Sequence, residues 1–92
     1  MANNTFPLEV MSLKGLVFQD EVESVYLSGT DGEFELLPFH YPLMASLGQG
    51  DIKIAKHDPL PIRLGVVMFR ENQCTIVAEM AAGYTKLKKS WF

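Results

Sequence analysis

Ninety-two residues, 48% hydrophobic and 21% charged, make one globular domain with no room for a second core, and that composition excludes a disordered chain. The net charge of −3 is uneven: residues 1–85 hold all eleven acidic groups and five basic ones, while Lys86, Lys88 and Lys89 face no acid in residues 86–92. An acidic body argues against nucleic acid, whose recognition needs a basic face, and the single Cys74 excludes an intrachain disulfide.

No apolar run approaches the ~18 residues of a membrane span. The opening MANNTFPLEV lacks the basic and apolar segments of a signal peptide. The expectation is a soluble protein, or one held at a membrane by other proteins.

In chain order, Phe6, Leu8 and Val10 alternate with Pro7, Glu9 and Met11, which predicts a half-buried strand. Lys14-Gly15 breaks the run and Leu16-Val17-Phe18 opens another. From Glu21 to Leu27 the pattern continues but slips in phase, with Val22 on one parity and Val25 and Leu27 on the other. A β-bulge near Ser24 reconciles the two. Asp31-Gly32 is a hairpin turn signal. Beyond it Phe34 and Leu36 share one side and Glu33 and Glu35 the other. Pro38 lacks a backbone donor and ends the strand or marks an edge.

Pro38-Phe39-His40-Tyr41-Pro42 brackets a lone histidine with prolines, and Leu43 to Leu47 fits a helical turn or a short strand equally well. Ile52 to Lys56 is a strand, followed by the loop His57 to Pro61. Ile62, Leu64, Val66 and Met68 then alternate with Arg63, Gly65, Val67 and Phe69, apolar on both sides as in a central strand. Glu71-Asn72 turns the chain, and Gln73 to Glu79 returns with Cys74, Ile76 and Ala78 on one side. Short strands with turn signals between them predict an all-β sandwich or barrel over residues 1–79. Residues 80–92 form a tail in which Met80, Tyr84, Leu87 and Trp91 share one side of a helix. It either docks on the sandwich or frays from it, or it meets a partner or membrane surface with its lysines.

Reactive groups are few. Cys74, His40 and His57 have no zinc-ligand spacing, and neither a nucleophile elbow nor a glycine-rich phosphate loop occurs. Glu33 and Glu35 share a strand side, where solvated surface outweighs an acid–base pair. Cys74, in an apolar strand, is a small buried hydrophobe by default. His40 on its proline-bounded turn either bonds backbone groups and shapes the turn, the favoured reading, or serves as a binding residue. No catalytic constellation and no cofactor or metal site emerges.

The stretch from Gly29 to Gly50 nevertheless carries a pattern: Gly29-Thr-Asp-Gly32-Glu33, then Pro38-x-His40-x-Pro42-Leu43, then Leu47-x-x-Gly50-x-Ile52. It resembles the ε subunit of bacterial F-type ATP synthases. Leu8 to Ser12, Leu64-Gly65-Val66 and Cys74 to Glu79 fall where that family has strands, so the match runs from residue 7 to 79. The resemblance implies a flattened antiparallel β-sandwich acting as a non-catalytic rotor subunit in the central stalk. It would bind the γ subunit and rest on the polar loops of the c-ring, on the cytoplasmic side of a bacterial inner membrane. Glu33 and His40 would face the c-ring, and Ser12 and Ala45 the γ subunit.

Three departures from the family pattern stand out. Glu35 and Phe39 each replace a glycine, and if the second has positive φ, Phe39 must strain or reshape the turn. In place of the usual C-terminal helical hairpin stands only the short tail, so ATP binding and hairpin-type inhibition are expected to be absent. The rival expectation is a free-standing β-sandwich module taking a small ligand or peptide at the His40 loop.

Overall fold

The computed structural model describes residues 4–84, and their regular secondary structure is entirely β. The first hairpin joins β1 (Phe6–Ser12) to β2 (Gly15–Val22) through Leu13-Lys14, where the Lys14 N–H donates to Ser12 Oγ at 3.1 Å. Its register shifts between Val10 and Met11, because Val17 is an extra residue in β2. The bulge of this region therefore lies at Val17 and not near Ser24.

At Glu23 and Ser24 the chain bends, and a new strand, β3 (Val25–Gly29), begins. Val22 and Val25 are three residues apart, so one continuous strand would point them to opposite sides; the bend buries both. It also hands the chain from the β1 ladder to a different set of partners. β3 pairs with β4 (Gly32–Leu36) in a hairpin that closes at Gly29 and Gly32, with Thr30 and Asp31 in the turn. A Cβ at Gly29 would sit 2.8 Å from the Gly32 carbonyl oxygen and 2.9 Å from the Phe34 ring, so this turn needs a glycine before it closes.

Leu43–Leu47 is a strand, β5, which settles the open choice at that segment. β6 (Gly50–Ile54) follows, and the long β7 (Leu60–Arg70) runs beside both: Gly50–Ile52 pair with its start and Leu43–Leu47 with its second half. β8 (Gln73–Met80) returns alongside β7 and closes on β1 in a parallel pairing, whereas every other pair among the described residues is antiparallel. The strand order β2-β1-β8-β7-β5-β3-β4, with β6 bridging β3 and β7, folds into a slab 37 × 34 × 18 Å across. Two stacked sheet layers about 10 Å apart account for its thin dimension. This is a flattened sandwich.

The core is wholly apolar among the described residues, built on Phe6, Leu8, Leu27, Leu36, Phe69 and Ile76. Phe6 and Phe69 meet edge to face at 5.2 Å. Burial pushes the Cys74 thiol up to about 12, as befits a small core hydrophobe. Strand β7 shifts register against β8 between Ile62 and Leu64, so alternation resets at Arg63. Ile62, Gly65, Val67 and Phe69 face inward; Leu64, Val66 and Met68 face out. The expectation that one side of this strand follows Ile62, Leu64, Val66 and Met68 in unbroken alternation is corrected by that single bulge.

The tail also differs from the expectation. Met80 belongs to β8, paired with Ile62, and the Ala81 N–H donates to the Pro61 carbonyl at 3.0 Å. Tyr84 packs on the core after a turn. Leu87 and Trp91, the other half of the expected helical face, lie outside the described residues.

Candidate functional site

The two outer faces of the slab carry opposite chemistry. One row of paired residues crosses five strands: Ser46 of β5 faces Val66 of β7, then Val77 of β8, Met11 of β1 and Leu16 of β2. Next to it Met44 pairs with Met68, and Leu64 lies on the far side. Met44 is 68% exposed, Val77 52% and Val66 45%, so on β5, β7 and β8 this face is apolar and exposed. Its borders are polar: Arg63 bonds Glu79 at 2.6 Å on one side, and Gln19 reaches Glu9 at 3.4 Å on the other. Monomeric proteins seldom leave so continuous an apolar surface bare unless a partner meets it. The sequence signal was the apolar character of both sides of β7, one of which proves to point outward.

The other face lies on β4, β3 and β6. Glu35, Tyr26 and Lys53 form a row across the three strands, an acid, a phenol and an amine side by side. The Tyr26 hydroxyl donates to Glu33 Oε1 at 2.6 Å, and Lys53 Nζ stands 5.6 Å from the Tyr26 ring centroid. The bond to Glu33 raises the Tyr26 pKa, with burial and the charges of Glu33 and Glu35 adding to it. Glu33 is thus an exposed carboxylate with one oxygen held in place.

At one end of the slab sits the loop from Leu37 to Pro42. The His40 N–H donates to the Leu37 carbonyl at 3.1 Å, closing a turn with Pro38 and Phe39 at its centre. Phe39 has φ of +65°, as the third residue of a type II turn requires. Glycine takes that conformation freely, whereas a β-carbon there costs about 1–2 kcal/mol. The turn keeps its shape, and Phe39, 72% exposed, bears the strain. The His40 ring lies edge-on to Phe69 at 5.8 Å and tilts over Tyr41 at 4.3 Å. Its Nδ1 is 2.7 Å from the Tyr41 carbonyl, which can only accept, so Nδ1 carries a proton. The imidazole therefore bonds a backbone group and is fixed in orientation.

From the sequence, Asn72 is a turn residue and no more. It is one, with φ of +57° beside Glu71 at +52°. Its amide also accepts from the Phe39 N–H at 2.7 Å and donates to the Thr5 carbonyl at 3.1 Å. Those partners are 33 and 67 residues away in sequence, beyond any local motif.

Between the β3–β4 turn and β5 runs an open groove of about 560 Å³. Glu33, His40 and Ala45 all line it, so the structure brings three of the four predicted site residues to one depression. The fourth, Ser12, lies at the β1–β2 turn, where its hydroxyl reaches the Gly15 carbonyl at 3.4 Å. Ala45 packs against the core, while its neighbours Met44 and Ser46 point outward. Among the described residues no three His, Cys, Asp or Glu side chains gather as metal ligands would. Also among them, no helix is long and apolar enough to cross a membrane.

Comparison with known proteins is consistent across sequence and fold. Residues 5–83 match the model of the ATP synthase delta/epsilon chain β-sandwich domain. The ATP synthase epsilon chain of Nitratiruptor is 39% identical over 82 residues, covering 85% of this chain and 64% of the relative. The epsilon chain of Aliarcobacter butzleri is 36% identical over 90 residues, covering 95% and 72%. The chain thus spans about two thirds of the length of such relatives. Among solved structures, a chain of the Euglena gracilis mitochondrial ATP synthase superposes with a TM-score of 0.76 at 16% identity, covering 96% of this chain and 61% of its own. One from the central stalk and c-ring of the Tetrahymena thermophila enzyme gives 0.71 at 11% identity, covering 87% and 73%. At these identities the superpositions speak for the sandwich alone; the sequence matches carry the assignment. This chain belongs to the family of ATP synthase delta/epsilon chain β-sandwich domains.

Proposed function

We propose that the chain is a rotor component of a proton-translocating ATP synthase, passing torque from the c-ring to the γ subunit without touching a reacting bond. The observation that carries this reading is the exposed apolar surface of Met44, Leu64, Val66, Met68 and Val77 on β5, β7 and β8. A rotating part must be gripped over a broad area, and an uncovered sheet face of methionine, valine and leucine supplies that grip. The γ subunit seats there. Ser12 lies at the rim near Met11, and Ala45 holds the strand that presents Met44 and Ser46.

The groove end carries the second contact. Glu33 and the fixed His40 offer an anionic acceptor and an oriented imidazole to polar c-ring loops. Such a hydrogen-bonded, wet contact transmits force without a large apolar patch. In this reading the protein is peripheral at the cytoplasmic side of a bacterial inner membrane, reaching it only through the complex, and binds neither nucleic acid nor cofactor.

Co-expression with the γ subunit tests the proposal. A stable stoichiometric complex, lost when Val66 and Val77 are both changed to lysine, is the expected outcome; a monomer indifferent to γ overturns it. The 560 Å³ groove favours a second reading, a small ligand or peptide beside His40. Calorimetric titration with metabolites and peptides checks it, and saturable binding that survives γ would support that module instead.

A further inference from the structure

We propose that Asn72 is the positioning residue of the His40 loop, clamping a turn in which phenylalanine occupies a glycine conformation. As far as it concerns docking, the inference rests on the rotor reading above; as far as it concerns the loop, it stands on this chain alone.

The geometry defines the clamp from both sides. The Phe39 N–H can only donate, so the Asn72 atom 2.7 Å away is its oxygen. The Thr5 carbonyl can only accept, so the atom 3.1 Å away is its nitrogen. One amide side chain thus ties the loop at Phe39 to the segment entering β1. It does so from a turn position with φ of +57°, which asparagine tolerates better than most residues.

The need for the clamp comes from Phe39. Its backbone sits at φ +65°, where a β-carbon is disfavoured, yet the turn is closed by the His40 N–H to Leu37 bond. Strained residues of this kind persist only when their surroundings over-determine them. The Phe39 side chain contributes little to that, the residue being 72% exposed. The Asn72 bond grips the backbone of the strained residue itself. Its effect is passed to His40, the next residue, whose ring must keep its place on Phe69 and Tyr41. An exposed phenylalanine in this position is a side chain displayed outward at the loop tip, and Asn72 makes the display sustainable.

Amide exchange on the purified full chain tests this. Asn72→Gly keeps the left-handed turn and loses both bonds. The His40 amide should then exchange about tenfold faster, while core amides such as Ile76 and Val67 hold their rates. Adding Phe39→Gly to that variant frees the turn of strain and should return His40 exchange to within about threefold of the starting rate, a coupling that distant, independent sites do not show. Asn72→Asp separates the two bonds: it keeps an acceptor for Phe39 and sets an oxygen against the Thr5 carbonyl. His40 protection should survive in it while the Phe6 amide loosens.

Unchanged His40 exchange in Asn72→Gly overturns the proposal. So does a uniform rise at all amides that Phe39→Gly fails to reverse, because that would mark a general loss of stability. If the wild-type chain fails to bind γ or c-ring, the rotor reading falls and the exchange results still decide the clamp.

Discussion

The apolar face on β7 and β8 and the polar face on β3 and β4 belong to the same slab and obey the same pleat. On each, every second residue points away from a core with no buried polar or charged side chain among the described residues. Folding requires only the inward residues, so the outward ones are free to differ. On one side they are Met44, Val66, Met68 and Val77, side chains that water penalises. On the other they are Glu33, Glu35, Tyr26 and Lys53, side chains that water welcomes. The first set lowers solubility for nothing unless something covers it. The second needs no cover, yet Tyr26 and Glu33 still hold each other in one geometry at 2.6 Å. In the proposed rotor, the first face would give lasting grip and the second a contact that can stay wet.

Changing both Val66 and Val77 to lysine attacks that contrast most directly. Affinity for the γ subunit should fall by at least ~100-fold, the scale of losing central anchors of an interface. The melting temperature should stay within a few degrees of the parent, because exposed positions cost about 0.5 kcal/mol or less. A folded variant with unchanged affinity would end the distinction between the faces.

Phe39→Gly addresses the end of the slab. Relieving the left-handed strain should raise stability by up to about 1 kcal/mol, offset in part by glycine's greater freedom when unfolded. Urea denaturation measures the net change. Clear destabilisation would mean that the exposed ring has packing work to do after all.

On the polar face, Glu33→Gln with Glu35→Gln should alter assembly of the rotor by only a few-fold and flatten its dependence on salt, as rim charges do. Surface plasmon resonance at two ionic strengths separates this from the apolar case, which should be nearly indifferent to salt. A large loss at high salt would shift the weight of binding onto this face.

The smallest effect is on Tyr26. Its pKa lies above the ordinary value of 10.0, so the folded state holds the phenolic proton more tightly than the unfolded state does. That stabilisation is complete below pH 10 and is lost as pH rises through the folded value. Glu33→Gln should move the phenolate absorbance transition back toward 10, readable by ultraviolet titration. A transition that does not move would assign the shift to burial and the Glu35 charge.

How far the sequence disclosed this molecule depends on the range of the physics involved. Alternation along Phe6 to Met11 and Gly32 to Leu36 reports directly on pleat, so β1 and β4 were legible. The slip between Val22 and Val25 was visible as well, but a bulge and a bend leave the same trace in one dimension. Only the partners of β3 distinguish them. In β7 an apolar pattern on both sides suggested a strand buried on both, because covered and uncovered valines look alike without the neighbouring layer. The bond between the His40 ring and the Tyr41 backbone matched expectation, being a contact between adjacent residues. Asn72 did not announce itself, since its two bonds depend on closures of 33 and 67 residues.

The parallel pairing of β1 with β8 has a consequence for how the protein is made. Leu8 to Met11 find Cys74 to Val77 only after nearly the whole sandwich has been synthesised. During translation the β1 edge of the first hairpin must wait unpaired until β8, the strand that flanks it, has been made. Loop closure over such a span is slow, and an unpaired edge along Leu8 to Met11 invites wrong pairing meanwhile. Nascent chains of this protein should therefore be clients of ribosome-associated chaperones until β8 emerges.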